Sequence, residues 1–324
     1  MDEDGALGLS KTVPTTREAL AKFLDRLDRP TTITLEATRG YWWLSQFFAR
    51  HPNVSQVNVV DSRRSRKLAE ELAVRSGYGR AKNDRIDAEM LAEQTRRGLA
   101  PTIQVPTATQ LAARTLNRHR LLLIRLKTMA ANRIHGLLSM HGVVTSIQQL
   151  RSSAEQRDQI LRDLPGYVDL LVTTMLKQIE LDEQQAVQCD QELDKILPAS
   201  NPTIKLLMTA PGIGIVLART IATEILEPSC LRAPKYLLSY AGLAPLQNES
   251  AGKKGPMKLN HFCNYYLKYA FVAAAHGART HSRYCRKYEQ DRKLHGKIRA
   301  KLNLARRLAK AVYWMLTRQQ PYKF

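Results

Sequence analysis

The chain has 324 residues, 44% of them hydrophobic, with 50 Lys and Arg against 29 Asp and Glu, a net charge of +21. That length implies two or three domains and that apolar content is enough for packed cores, which excludes a disordered basic tail; the charge requires a polyanionic partner. Cys189, Cys230, Cys263 and Cys285 form no Cys-x-x-Cys pair, no run of about 18 apolar residues is present to span a bilayer, and MDEDG is not the start of a signal peptide. Zinc-ribbon, disulfide-framework and membrane classes are therefore set aside, and a cytoplasmic protein with no membrane partner is expected.

The opening ALGLSKTVP reads as a strand, TREALAKFLDRL as an amphipathic helix capped by Thr15 or Thr16, and TTITLEA as a β-branched strand. GYWWLSQFFARH returns as a helix and VSQVNVVD as a strand, followed by the helices SRRSRKLAEELAVRSG and NDRIDAEMLAEQTRRG. Alternation of this kind predicts an α/β layer around a mixed sheet to about residue 100, with Pro101 and Pro106 marking a linker. Within it, Asp84 and Asp87 are three residues apart. At helical spacing they can share a face and hold a divalent cation against phosphate oxygens, or simply occupy the first turn behind an Asn83 cap; spacing alone favours the cap.

From 107 to 141 apolar residues recur at helical spacing without a proline, predicting a helix of ~50 Å at ~1.5 Å per residue. Residues 101–150 contain no acid and six bases, and Arg114, Arg118, Arg125 and Arg133 either track a nucleic-acid backbone or form a solvated face. Residues 151–200 hold ten acids against five bases. A second long helix is predicted over 168–197, with Leu171, Met175, Ile179, Leu181, Val187, Leu193 and Leu197 as its apolar seam. The pair suggests a coiled coil or antiparallel arm that mediates oligomerisation, with a plain two-helix packing layer as the alternative.

In MTAPGIGIVLARTIATE, Gly212 and Gly214 between apolar helices resemble a helix-hairpin-helix turn, where glycines let backbone N–H groups approach phosphate; an ordinary interhelical turn reads the same way. Ser250 lies in a polar loop with Lys253, Lys254 and Lys258, cations that bind phosphate and favour a developing alkoxide, although most loop serines are not nucleophiles. Tyr265, Tyr266 and Tyr269 suit base stacking, but their spacing favours burial on a helix. KIRAKLNLARRLAKAVYWMLTRQ predicts an amphipathic helix with a basic face. Residues 251–324 as a whole hold 18 bases against Glu289 and Asp291, so the polyanion is expected against this quarter of the chain.

Taken in order, TLEATRGYWWL, VVDSRRSRKLA, AKNDRIDAEMLAE, APGIGIVLARTIATEI, YAGLAP and the ESAGKKG loop resemble transposases of the insertion-sequence "one-ten" family, over nearly the whole chain. The resemblance implies an RNase H-like, RuvC-like mixed-sheet domain with a DEDD tetrad over 1–102, a helical coiled-coil oligomerisation region over 103–200 and a basic serine transposase domain over 201–324. It implies that Glu36, Asp84 and Asp87 match three members of the tetrad and hold Mg²⁺, and that Ser250 matches the serine that attacks DNA to form a covalent link. DNA, a structured guide RNA and further copies of the chain in a dimer or tetramer are the implied partners. In two respects the chain departs from the family: the strand carrying the family's first acid is missing, and Ala251 and Cys263 stand where relatives usually carry glycine. Two rival functions are a RuvC-type metal-dependent nuclease with Ser250 as bystander, and a non-catalytic nucleic-acid-binding remnant.

Overall fold

The computed structural model describes residues 1–8, 10–76, 83–246, 249–250, 253–254, 258–259 and 262–323, the side chains of 72–76 and 246–259 excepted. The chain divides into two compact units, Met1–Thr107 and Ala108–Phe324.

In the first unit, α1 (Arg17–Leu24) starts at Thr16, whose hydroxyl accepts from the Ala19 amide. It is followed by β1 (Thr31–Glu36), α2 (Tyr41–Phe48), β2 (Val54–Val60), α3 (Ser62–Ser76) and α4 (Asp84–Arg96). The β-branched residues of β1 and β2 pair in parallel, Ile33 with Val57 and Glu36 with Val60. Parallel strands need a crossover, and α2 supplies it. Gly40, at φ +85°, makes the sharp entry from β1 into α2 that a side chain would disfavour. On the other edge of β2, Thr102 forms an antiparallel bridge with Val60, and the Ile103 amide donates to Val59 O at 2.7 Å. Leu24, Phe48, Val59 and Val60 are buried between the layers. Gln94 and Ser65, both buried, exchange hydrogen bonds of 2.9 and 3.0 Å that fasten α4 to α3.

The strand expected in ALGLSKTVP does not form among its described residues. Asp2 Oδ1 instead accepts from the Ala6 amide at 2.7 Å in a turn that Gly5 closes at φ +91°, and Gly8 and Pro14 break up what remains of an extended run.

The second unit begins with α5 (Ala108–Met140), followed by α6 (Ile147–Ser152), α7 (Ala154–Leu161) and α8 (Gly166–Ile196). Helices α5 and α8 pack antiparallel: Ile134 and Leu138 meet Val168, Val172, Leu176 and Ile179, whereas Leu123 meets Ala186 and Cys189. The facing row of α8 is Val168, Val172, Leu176, Ile179, Asp182, Ala186, Cys189 and Leu193, at the three- and four-residue steps of a two-helix seam. This corrects the expected seam. Ile179 and Leu193 of that seam are in the packed row, whereas Leu171, Leu181 and Val187 are exposed; they share no face of α8, Leu171 and Val187 lying ~160° apart around the helix.

The chain continues through α9 (Pro202–Met208), α10 (Ile215–Glu224), a 3-10 turn at Pro228–Cys230 and α11 (Pro234–Tyr240). Four two-residue strands follow, β3 (Pro245–Leu246), β4 (Glu249–Ser250), β5 (Lys253–Lys254) and β6 (Lys258–Leu259), then α12 (Tyr265–Ala278) and α13 (Ser282–Arg318). Helix α13 is kinked at Gly296, which has the non-helical φ of +81°. Ile204, Leu207, Ile221, Leu237, Leu243, Leu267, Phe271 and Leu308 are fully buried in the core that joins these helices. None of the described helices is long and apolar enough to cross a membrane.

Candidate functional site

Helix α4 starts at Asn83, whose side-chain oxygen accepts from the Arg85 amide at 3.0 Å, with Asp84 and Asp87 in the first turn. The cap reading of this pair is therefore realised in the fold. It leaves the two carboxylates exposed, and among the described residues no side chain hydrogen-bonds to them or forms an ion pair with them. Glu36 is the last residue of β1 and is partly exposed. Helix α4 meets β1 near its far end, where the Thr95 and Thr34 hydroxyls lie 2.7 Å apart. Asp87 is eight residues, ~12 Å of helix, before that contact. Among the described residues, no group of three or more metal-type ligands is assembled. In donor chemistry the three carboxylates suit a hard cation such as Mg²⁺; as a gathered set they are not formed. At the same end of α4 as Thr95, hydrogen bonds from Arg96 and then Arg97 hold the Glu93 carboxyl at about 2, well below the usual range.

In the second unit, the backbone places Ser250 directly opposite Lys253 and Glu249 opposite Lys254 in a short antiparallel ladder. Lys258 pairs with Leu246 in the flanking ladder. Ser250, Lys253, Lys254 and Lys258 thus share one pair of small ladders; their side chains lie outside the described residues, as do Ala251 and Gly252 altogether.

Both ends of this segment are anchored. Before it, Arg306 of α13 donates to Leu243 O at 2.7 Å. After it, Asn264 binds Tyr240 twice, amide to carbonyl oxygen at 2.7 Å and side chain to hydroxyl at 3.0 Å. Asn264 Nδ2 also donates to Oε2 of Glu224 at 2.7 Å. The Glu224 side chain is fully buried at the end of α10, and both its oxygens accept from Arg118 at 2.7 Å. Those bonds raise the Arg118 guanidinium above its ordinary pKa. Its guanidinium also lies 4.7 Å from the centre of the Tyr266 ring. Arg114 donates to Thr223 O at 2.8 Å. Arg114 and Arg118, expected on a nucleic-acid face, are thus engaged with α10. Sequence reasoning missed Glu224, Asn264 and Tyr240; the available signal was an acid among the Ile, Val, Leu and Ala of α10, where a charge is retained only if paired, as Arg219 of the same helix is with Asp194.

Gly212 closes the turn between α9 and α10 at φ +78°, and a Cβ there would lie 2.2 Å from Ala274 O of α12. Gly214 caps α10 at φ −88°, and a Cβ on it would meet nothing within 4 Å. Tyr265 and Tyr269 are exposed at 59% and 40%, so the burial that the spacing favoured fails for these two, whereas Tyr266 is half-buried.

Two family models match this chain, a DEDD transposase of the IS110 type over residues 1–142 and the transposase IS116/IS110/IS902 family over 204–290. The first interval contains Glu36, Asp84 and Asp87; the second contains Gly212, Gly214, Ser250 and the three lysines. The chain belongs to the IS110 family of transposases. Among similar proteins, the transposase for insertion sequence element IS1328 of Yersinia enterocolitica is 28% identical over 76% of this chain and 70% of its own length. The transposase for element IS1111A of Coxiella burnetii is 25% identical, over 75% and 68%. A probable family 20 transposase of Pseudomonas aeruginosa is 23% identical, over 75% and 74%. IS110 membership makes this a DNA-processing enzyme of the transposase kind.

Proposed function

We propose that this IS110-family chain cuts and rejoins DNA at the ends of an insertion sequence through a covalent link to Ser250. The observation that carries the reading is the backbone register that sets Ser250 opposite Lys253, inside the matched interval of the C-terminal family model. The serine oxygen forms a bond to phosphorus as one phosphodiester P–O bond breaks; the serine proton is lost and the leaving oxygen is protonated. Because the phosphorus remains esterified, the reverse attack by a DNA hydroxyl reseals the strand without an external energy source. Lys253, Lys254 and Lys258 bring positive charge to the phosphate.

The first unit takes the RNase H-like role in this reading, with Glu36, Asp84 and Asp87 as the residues that would hold Mg²⁺. When bound, that ion supplies charge neutralisation at the phosphate oxygens. The basic C-terminal quarter and the exposed Tyr265 and Tyr269 suit a nucleic-acid partner, DNA together with a structured guide RNA. Copies of the chain would associate through α5 and α8.

Incubation of the protein with a labelled DNA carrying the element's ends, followed by denaturing electrophoresis, tests the assignment. Wild type should yield a protein–DNA adduct and Ser250→Ala should yield none while binding DNA with unchanged affinity. An adduct in the alanine variant overturns the nucleophile. The unpartnered carboxylates of Asp84 and Asp87 favour one other reading, a metal-dependent nuclease, whose signature is free DNA ends with no adduct in wild type.

A further inference from the structure

The first unit contains a cleft of about 280 Å³ lined by Arg17, Trp42, Trp43, Gln46, Phe47, Arg50, His51 and Pro52. We propose that this cleft binds one unpaired nucleotide, its base stacked against Trp43 and Phe47 and its phosphate held by Arg17 and Arg50.

Trp43 and Phe47 are four residues apart on α2 and therefore share a face. That face is not the one packed inward, since the buried residues of α2 are Ser45 and Phe48. The two rings remain partly exposed, with centroids 6.2 Å apart and planes inclined by 59°. The Arg17 guanidinium lies 5.4 Å from the Trp43 ring centre and 5.9 Å from that of Phe47. Planar π surfaces beside exposed arginines are the combination that recognises single-stranded nucleic acid without regard to base identity.

The walls are fixed before anything binds. Trp42 Nε1 donates to Pro106 O at 2.9 Å, so one indole is held by the segment that leaves the sheet. His51 is engaged at both nitrogens, Nδ1 by the Asn53 amide at 3.3 Å and Nε2 by Asp25 at 3.2 Å. Asn53 in turn donates to Leu24 O at 3.0 Å. Such preorganisation lowers the ordering cost of binding. The lining contains two arginines and no carboxylate, so its charge suits a phosphate, and its volume is at the small end for ligand sites, the scale of a base rather than a helix or strand of a partner protein. A duplex keeps its bases stacked on one another and cannot offer one to the cleft.

The inference rests on the nucleic-acid reading above but is independent of Ser250. Its test uses binding without cleavage, so the two fail separately. The full chain is titrated at fixed salt with a short single-stranded RNA, the single-stranded DNA of the same sequence and the DNA duplex. Trp43→Ala and Arg17→Gln should each weaken single-strand binding roughly tenfold, the worth of one stacked base, with duplex binding unchanged. Trp43→Phe should restore it. Arg17→Gln should also lower the salt slope by about one, whereas Trp43→Ala should leave it alone. A loss confined to RNA assigns the nucleotide to a guide, and a loss confined to DNA assigns it to a displaced strand; either supports the site. If Trp43→Ala unfolds the unit, as its thermal midpoint would reveal, Arg17→Gln at an exposed position carries the test. Equal losses on duplex and single strand, or no loss in either variant, overturn the proposal. So does a change in sedimentation with single-strand binding intact, which would give the cleft to another copy of the chain.

Discussion

A methyl group at Gly212 would meet backbone atoms rather than a side chain, 2.2 Å from Ala274 O and 2.8 Å from Ala278 N. Backbone inside a helix cannot yield, and φ of +78° adds strain for any L side chain. Across the contact Gly277 is equally bare, and a Cβ on it would lie only 3.3 Å from Gly212 Cα. Gly212→Ala should therefore lower stability by about 2 kcal/mol or more, read as a fall in the thermal midpoint. Gly214 differs in both respects, with an ordinary φ and open space, so Gly214→Ala should change stability by no more than about 1 kcal/mol. That contrast separates two roles of the turn. If Gly214→Ala weakens DNA binding at an unchanged midpoint, backbone amides at the start of α10 approach phosphate; if affinity is unchanged, the turn serves packing alone. Pro-Gly-Ile-Gly was legible as a turn because its residue types dictate one. Its dependence on α12 was not legible, since that partner is about sixty residues away and nothing local encodes it. The same holds for Glu224, whose partners come from α5 and from the start of α12.

The two helices of the α5–α8 hairpin were legible to within two residues at each end, 107–141 against Ala108–Met140 and 168–197 against Gly166–Ile196. Uninterrupted periodicity and the absence of proline within α5 set those limits. The inward face of α8 was only partly legible: Ile179 and Leu193 pack as expected, but exposed Leu170, Leu171, Leu181 and Val187 scatter apolar residues over its other faces and blur the period. The row that packs even contains a carboxylate. Asp182 is 1% exposed, Oδ1 accepts from Gln178 at 2.9 Å, and Oδ2 has no hydrogen-bond partner. A buried acceptor left unsatisfied costs ~1–3 kcal/mol, and an apolar replacement of similar size removes that cost. Asp182→Leu should raise the midpoint of denaturant unfolding with no change in its slope. A lowered midpoint would mean that the carboxylate contributes more than its contacts account for, as a polar residue does when it fixes the register of a helix pair.

Charge and apolar surface act together at the scale of the whole molecule. A net charge of +21 repels a second copy but attracts nucleic acid, so salt should weaken nucleic-acid binding and strengthen any self-association held by apolar contact. The α5–α8 hairpin has the surface for such contact. Because Leu123 packs with Ala186 and Cys189, exposed Leu122, Leu126 and Met129 lie at the level of exposed Leu181 and Val187. The hairpin also alternates in sign, with the acid-free stretch 101–150 against the acidic stretch 151–200, so that α5 of one copy complements α8 of another. Replacing Leu126 and Leu181 together by Glu places charge where a copy would bury apolar side chains, and both sites are exposed in the single chain, so the fold should persist. Sedimentation should then change from an oligomer in wild type to a monomer in the double variant, with the wild-type oligomer stable as salt rises. If adducts at Ser250 require residues from more than one copy, they should disappear together with the oligomer while duplex binding remains. An oligomer that survives both substitutions, or one that dissociates in salt, would remove the apolar face of α5 and α8 from the assembly.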